Sequence, residues 1–122
     1  MPTTQVRQLH VLAVYVSDLE GAREFYKTQF GFEEAGEMPP GLLLQGGGAT
    51  LYLEEGRLSR PMDEPVAEIA PCFGTESIRA SFDSLAAAGL TILLPYTEYS
   101  PVFAMFAVAD PDGNRIEFAG RP

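Results

Sequence analysis

One pattern of apolar runs occurs twice in this chain, the second copy starting about sixty residues after the first. In the first copy, a Val- and Leu-rich run from Leu9 to Val16 reads as a buried strand. Ser17 and Glu20 then stand at capping-box spacing, and Leu19, Ala22, Phe25, Tyr26 and Phe30 recur with helical periodicity. Gly31 ends that helix as a C′ residue does. Three short strands follow over Glu33–Glu37, Leu42–Gln45 and Ala49–Glu54, separated by Pro39-Pro40-Gly41 and Gly46-Gly47-Gly48. Residues 55–65 are polar and Pro-bearing and read as a linker.

The second copy opens with a strand over Val66–Phe73. Thr75 or Ser77 caps a helix carrying Ile78, Phe82 and Leu85, which Gly89 closes. Leu90–Leu94 and Val102–Ala109 read as strands, with Pro95 to Pro101 as a loop holding Tyr96 and Tyr99 at a rim. Asp110-Pro111-Asp112-Gly113-Asn114 is a tight turn before the last strand, Arg115–Ala119. Both halves are therefore βαβββ, module one over 8–54 and module two over 66–120. Neither is large enough to bury its sheet alone, which predicts one α+β domain with a shared core over 1–122.

Composition narrows the function classes. Eight Lys and Arg against seventeen Asp and Glu leave a net charge of −9, opposite to what nucleic acid or an anionic membrane surface attracts. With 46% apolar residues the chain has the material for a core, and its acidity serves solubility. The single cysteine, Cys72, excludes an internal disulfide and a Cys-based zinc site. Its apolar setting, Ile69-Ala70-Pro71-Cys72-Phe73, predicts a buried, inert thiol. Met1 to Gln8 holds no apolar signal core, and no run approaches the roughly 18 apolar residues of a membrane span, so a soluble cytoplasmic protein is expected.

The stretch Val11-Leu12-Ala13-Val14-Tyr15-Val16-Ser17-Asp18-Leu19, with Ala22, Phe25-Tyr26 and Gly31-Phe32 after it, resembles the opening of the vicinal oxygen chelate superfamily. The closing Asp110-Pro111-Asp112-Gly113-Asn114-Arg115-Ile116-Glu117-Phe118 resembles that family's other signature. The superfamily holds glyoxalases, bleomycin resistance proteins, fosfomycin resistance enzymes and extradiol dioxygenases. The resemblance implies paired βαβββ modules whose curved mixed sheets form a cup. Catalytic members hold a divalent metal there, on the first strand of each module and a glutamate of the final strand. Of the matching positions here, Glu117 can ligate. Val11 and Ala70 cannot, Tyr52 stands where glyoxalases use a glutamate, and Glu68 is the lone acid between Ala67 and Thr75. His10 neighbours the first position but points to the opposite face by strand alternation, so Glu117 and His10 are the candidates only for an atypical metal site.

Alternation from Val11 and Glu117 assigns Val11, Ala13, Tyr15, Tyr52, Glu54, Phe103, Met105 and Glu117 to the ligand-facing side. The strand before the Asp-Pro-Asp-Gly turn offers Pro101, Phe103, Met105 and Ala107, which cannot grip a phosphonate. An apolar, aromatic lining edged by Glu54 and Glu117 suits stacking and cation–π contact with a flat or cationic organic molecule. The expected protein is thus a metal-free, cofactor-free, non-catalytic binder, similar to antibiotic-sequestering resistance proteins. The resemblance also implies a homodimer. The alternative is a metal-dependent glyoxalase-like lyase, isomerase or dioxygenase with atypical ligands.

Overall fold

The computed structural model describes residues 3–56 and 69–122. The chain divides into two compact units, Met1–Leu58 and Ser59–Pro122, each built alike. The first holds β1 (Leu12–Val16), α1 (Leu19–Phe30), β2 (Glu33–Met38), β3 (Gly41–Gly46) and β4 (Ala49–Glu55). The second holds β5 (Cys72–Phe73), α2 (Ile78–Ala87), β6 (Ile92–Ser100), β7 (Phe103–Ala109) and β8 (Arg115–Gly120). Each unit forms one mixed four-stranded sheet, ordered β1-β4-β3-β2 in the first and β5-β8-β7-β6 in the second. In both, the first strand runs parallel to the last and the remaining pairs are antiparallel. The expected α+β, βαβββ architecture is what the units show; most of the expected linker and the start of the expected Val66 strand lie outside the described residues.

In the first unit Val14, Val16, Leu42, Leu44, Leu51 and Leu53 fall on one sheet face, and all are buried. Ala22 and Tyr26 of α1 are buried with them, and Tyr26 meets Phe30 and Phe32 edge to face at 5.5 and 6.1 Å. The second unit repeats this with Ala104, Phe106, Val108, Ile116 and Phe118 on the face toward α2, whose Ile78 and Leu85 are buried. Phe106 stacks on Phe118 at 5.0 Å and takes Phe82 of α2 edge-on at 5.3 Å.

Local details depart from the expectations in instructive ways. The first strand begins at Leu12 rather than Leu9, which is 82% exposed and has no core to join. The cap of α1 is Asp18, with no side-chain cap bond, in place of the expected Ser17–Glu20 box. Gly31 does take the left-handed conformation, φ 75°, and its N–H closes on Lys27 O. At α2 the cap is Ser77, whose hydroxyl accepts from the Ala80 N–H at 3.1 Å. Of the expected loop Pro95–Pro101, residues 95–100 instead form the end of β6 and only Pro101 lies in the turn; β6 is an edge strand with register shifts, where a proline's missing N–H breaks no ladder.

The turn before β8 is held by a single buried carboxylate. Asp110 is 4% exposed, and its Oδ1 accepts from the N–H groups of Asp112 and Asn114 at 2.9 and 2.8 Å. Its Oδ2 takes the Asn114 side-chain amide at 2.8 Å. Asp110→Ala strands these donors and is expected to cost about 2 kcal/mol, whereas Asp110→Asn, which keeps one acceptor, costs less. Urea denaturation of the two variants checks the order; equal stability of Asp110→Ala and the parent would refute it.

Candidate functional site

Alternation leaves a second face on each sheet, turned away from its helix. In the first unit this face carries Ala13, Tyr15, Leu43, Tyr52 and Glu54, set by the registers Ala13–Tyr52–Leu43 and Tyr15–Glu54. Ala13 is exposed, Tyr15 is 39% exposed, and Val11 lies half-buried just ahead of β1. Glu54 is 8% exposed, so it is a recessed acid and not a rim charge. Tyr52 has a structural duty as well: its hydroxyl donates to Met38 O at 3.1 Å across the β2–β3 turn. Its ring covers Gly41, where a Cβ would come within 2.7 Å of it. His10 is exposed and lies outside any strand.

In the second unit the corresponding face carries Phe103, Met105 and Ala107 on β7 and Arg115, Glu117 and Ala119 on β8, with Cys72 of β5 in register with Glu117. Phe103 is 42% exposed and its ring lies 5.9 Å from that of Tyr99. Tyr96, expected beside Tyr99 at a rim, turns the other way: it packs on Phe82 of α2 and under the Arg79 guanidinium. The structure therefore groups Ala13, Tyr15, Tyr52 and Glu54 on one sheet, and Phe103, Met105 and Glu117 on the other.

The residue that sequence reasoning passed over is Arg115. Its Nε donates to Glu117 Oε2 at 2.8 Å, so Glu117 is a compensated carboxylate, not a free acid waiting for a cation. The signal was present, because residues two apart on a strand share a face. Cys72 corrects a second expectation. It is exposed, since β5 is an edge strand and the thiol stands on the face away from α2. Partial burial pushes its pKa above the ordinary thiol value, and the negative charge of Glu117 pushes it further.

The family's metal can now be set against these side chains. Its positions are Val11 and Tyr52 in the first unit and Ala70 and Glu117 in the second, and only Glu117 is an ordinary ligand for a divalent cation. That carboxylate is already paired with a guanidinium. Among the described residues no three His, Cys, Asp or Glu side chains gather where a metal would sit. The donor set does not fit a divalent metal. A surface depression of about 400 Å³ at the glycine turn after β3 is lined by Gly31, Glu33, Gln45, Gly46, Gly47 and Gly48. It contains none of the side chains above and brings together too little chemistry to rank beside the sheet faces.

Comparison with known proteins agrees with this architecture. The model of the Glyoxalase/Bleomycin resistance protein/Dioxygenase superfamily matches residues 7–118. The chain belongs to that superfamily. Among solved structures it is similar to a lactoylglutathione lyase from Agrobacterium tumefaciens, with 20% identity, 95% of each chain covered and a TM-score of 0.71. It is similar to TioX from Micromonospora sp. ML1, with 19% identity over 92% of this chain and 97% of that one and a TM-score of 0.71. A virulence protein from Salmonella typhimurium shares 22% identity over 95% and 98% of the two chains, with a TM-score of 0.73. At these identities the likeness is one of fold. No curated protein matches the chain in sequence. No helix among the described residues is long and apolar enough to cross a membrane.

The Cys72 thiol gives an electrostatic readout of the Glu117 charge. At pH 8 the raised pKa leaves Cys72 more protonated than an ordinary thiol, so alkylation by iodoacetamide is slower than for a free thiol. Glu117→Gln removes the lesser of the two causes that raise the thiol pKa and is expected to speed alkylation. An unchanged rate–pH profile in that variant would contradict the placement.

Proposed function

We propose that this chain is a binding protein that holds a small, flat organic molecule without a metal cofactor and releases it chemically unchanged. The observation that carries this reading is the Arg115–Glu117 bond at the family's glutamate position. A carboxylate whose charge is balanced by its own guanidinium neighbour, with no other ordinary ligand at the family's metal positions, is a poor anchor for a divalent ion. The residues on the faces away from the helices support binding in its place. Tyr15, Tyr99 and Phe103 are exposed ring surfaces, and Met105 is a soft apolar neighbour to Phe103. On the first unit's own sheet, Ala13, Tyr52 and Glu54 share the face of Tyr15, and Val11 lies just ahead of β1. The protein acts in the cytoplasm as a homodimer, without nucleic-acid or membrane partners; light scattering measures the dimer.

Elemental analysis of protein purified without chelator or His-tag is the first test, with well under one metal ion per chain expected. Stoichiometric zinc, nickel, manganese or iron that is lost in Glu117→Ala would overturn the reading in favour of a metal-dependent lyase, isomerase or dioxygenase. The second test is a thermal-shift screen of antibiotics and aromatic metabolites. A hit raises the melting temperature by mass action and is recovered intact by mass spectrometry. A hit recovered in altered form would contradict a binder.

A further inference from the structure

We propose that Arg115 and Glu117 together form one hydrogen-bonding edge for a neutral ligand, and that this edge selects a flat ring system carrying a lactam or comparable cyclic amide. The inference rests on the small-molecule-binding reading and adds the chemical class of the ligand. Both side chains project from the same face of β8, joined through Arg115 Nε and Glu117 Oε2 at 2.8 Å and 30% and 25% exposed. Among the described residues neither side chain has a second side-chain hydrogen-bond or ion-pair partner. The bond uses one of the five guanidinium donors, so both terminal amino groups remain to donate, and Glu117 Oε1 remains to accept. A donor beside an acceptor complements an amide edge: the ligand carbonyl accepts from Arg115 while the ligand N–H donates to Glu117. Both bonds involve a charged protein group and are correspondingly strong.

The surrounding charges argue against an ionic ligand. A ligand ammonium drawn to Glu117 would sit against the Arg115 guanidinium, which cancels most of the attraction. A ligand carboxylate drawn to Arg115 would meet Glu117, and the turn preceding Arg115 adds the carboxylates of Asp110 and Asp112. A neutral molecule with a polar edge meets neither cost.

The neighbouring residues define where its rings go. Ala119 follows Glu117 by two residues on the same face, in register with Met105, and both are half-exposed. Phe103 lies two residues beyond Met105, with Tyr99 beside it. Each two-residue step along a strand is about 7 Å, so a bicyclic ring anchored at Glu117 lies over Ala119 and Met105, and the Phe103–Tyr99 pair, one step further on, is within reach only of a longer ring system.

Calorimetric titration of the full chain with 2-quinolinone, quinoline-2-carboxylate and N-methylquinolinium tests this with one ring size and three charges. The lactam is expected to bind at least about tenfold tighter than either ion. N-methyl-2-quinolinone, which lacks the N–H, is expected to lose about tenfold against the parent protein and nothing further against Glu117→Leu. This arm does not depend on Arg115→Met folding. Where that variant does fold, it should lose lactam affinity without changing the N-methyl penalty. Tighter binding of either ion, or an N-methyl penalty that survives in Glu117→Leu, would overturn the edge while leaving the binding reading intact. Absence of binding by all four probes to millimolar concentration overturns the edge; the binding reading itself falls only if the broader aromatic screen is also silent.

Discussion

Each unit has one helix to cover one four-stranded sheet, and a sheet has two faces. That mismatch organises the rest of the molecule. Strand alternation sends half of the side chains toward the helix, and those positions hold the buried Val, Leu, Ile and Phe of each core. The other half are relieved of packing against the helix and can differ in character. They include small residues at Ala13 and Ala119, rings at Tyr15 and Phe103, acids at Glu54 and Glu117, and the Arg115 cation. The same division explains the end pieces: Gly31 turns the chain sharply from α1 into β2, and Asp110 folds the turn that sets β8 beside β7.

On β8 the alternation has a chemical consequence. The sequence Arg115-Ile116-Glu117 buries Ile116 against the helix side and leaves a cation and an anion together on the far face. Proximity of the guanidinium settles the electrostatic character of Glu117 without an external ion. The carboxylate that would be a ligand among ligands in a metal-binding relative is here half of a neutral polar pair. Its negative charge is still felt locally by the Cys72 thiol across the parallel β5–β8 pairing. Such a pair offers directional hydrogen bonds and little net charge.

Much of this is legible in the sequence. The β, α and turn order follows from periodicity and from Gly31, Gly89 and the Asp110–Asn114 turn, and the away-facing sets on β1, β4 and β7 follow from strand alternation once the family resemblance supplies Val11 and Glu117 as anchors. The misreadings share a cause, which is that strand position in the sheet is not written locally. Cys72 sits in an apolar run yet is exposed because β5 is an edge. Pro95 looked like a strand end, but β6 is the opposite edge and tolerates it. Leu9 and His10 prolong the run ahead of the paired residues, since the β1–β4 ladder begins only at Leu12–Leu51. Tyr96 and Tyr99 looked equivalent in a loop; a strand separates them onto opposite faces. Arg115 belongs to no ligand position of the family and is legible only as the residue two places from Glu117 on the same strand face.

The claim on which the account turns is that Arg115, and not a divalent cation, holds the carboxylate of Glu117. Nitrogen-15 NMR of the apo protein titrated with manganese reads this at both residues. The account predicts an Arg115 Nε–H resonance shifted and protected by its hydrogen bond, unchanged by an equimolar addition of the paramagnetic ion, with no selective broadening of the β8 amides. Selective broadening centred on Glu117 at equimolar manganese, with loss of the Arg115 Nε–H signal, would contradict it.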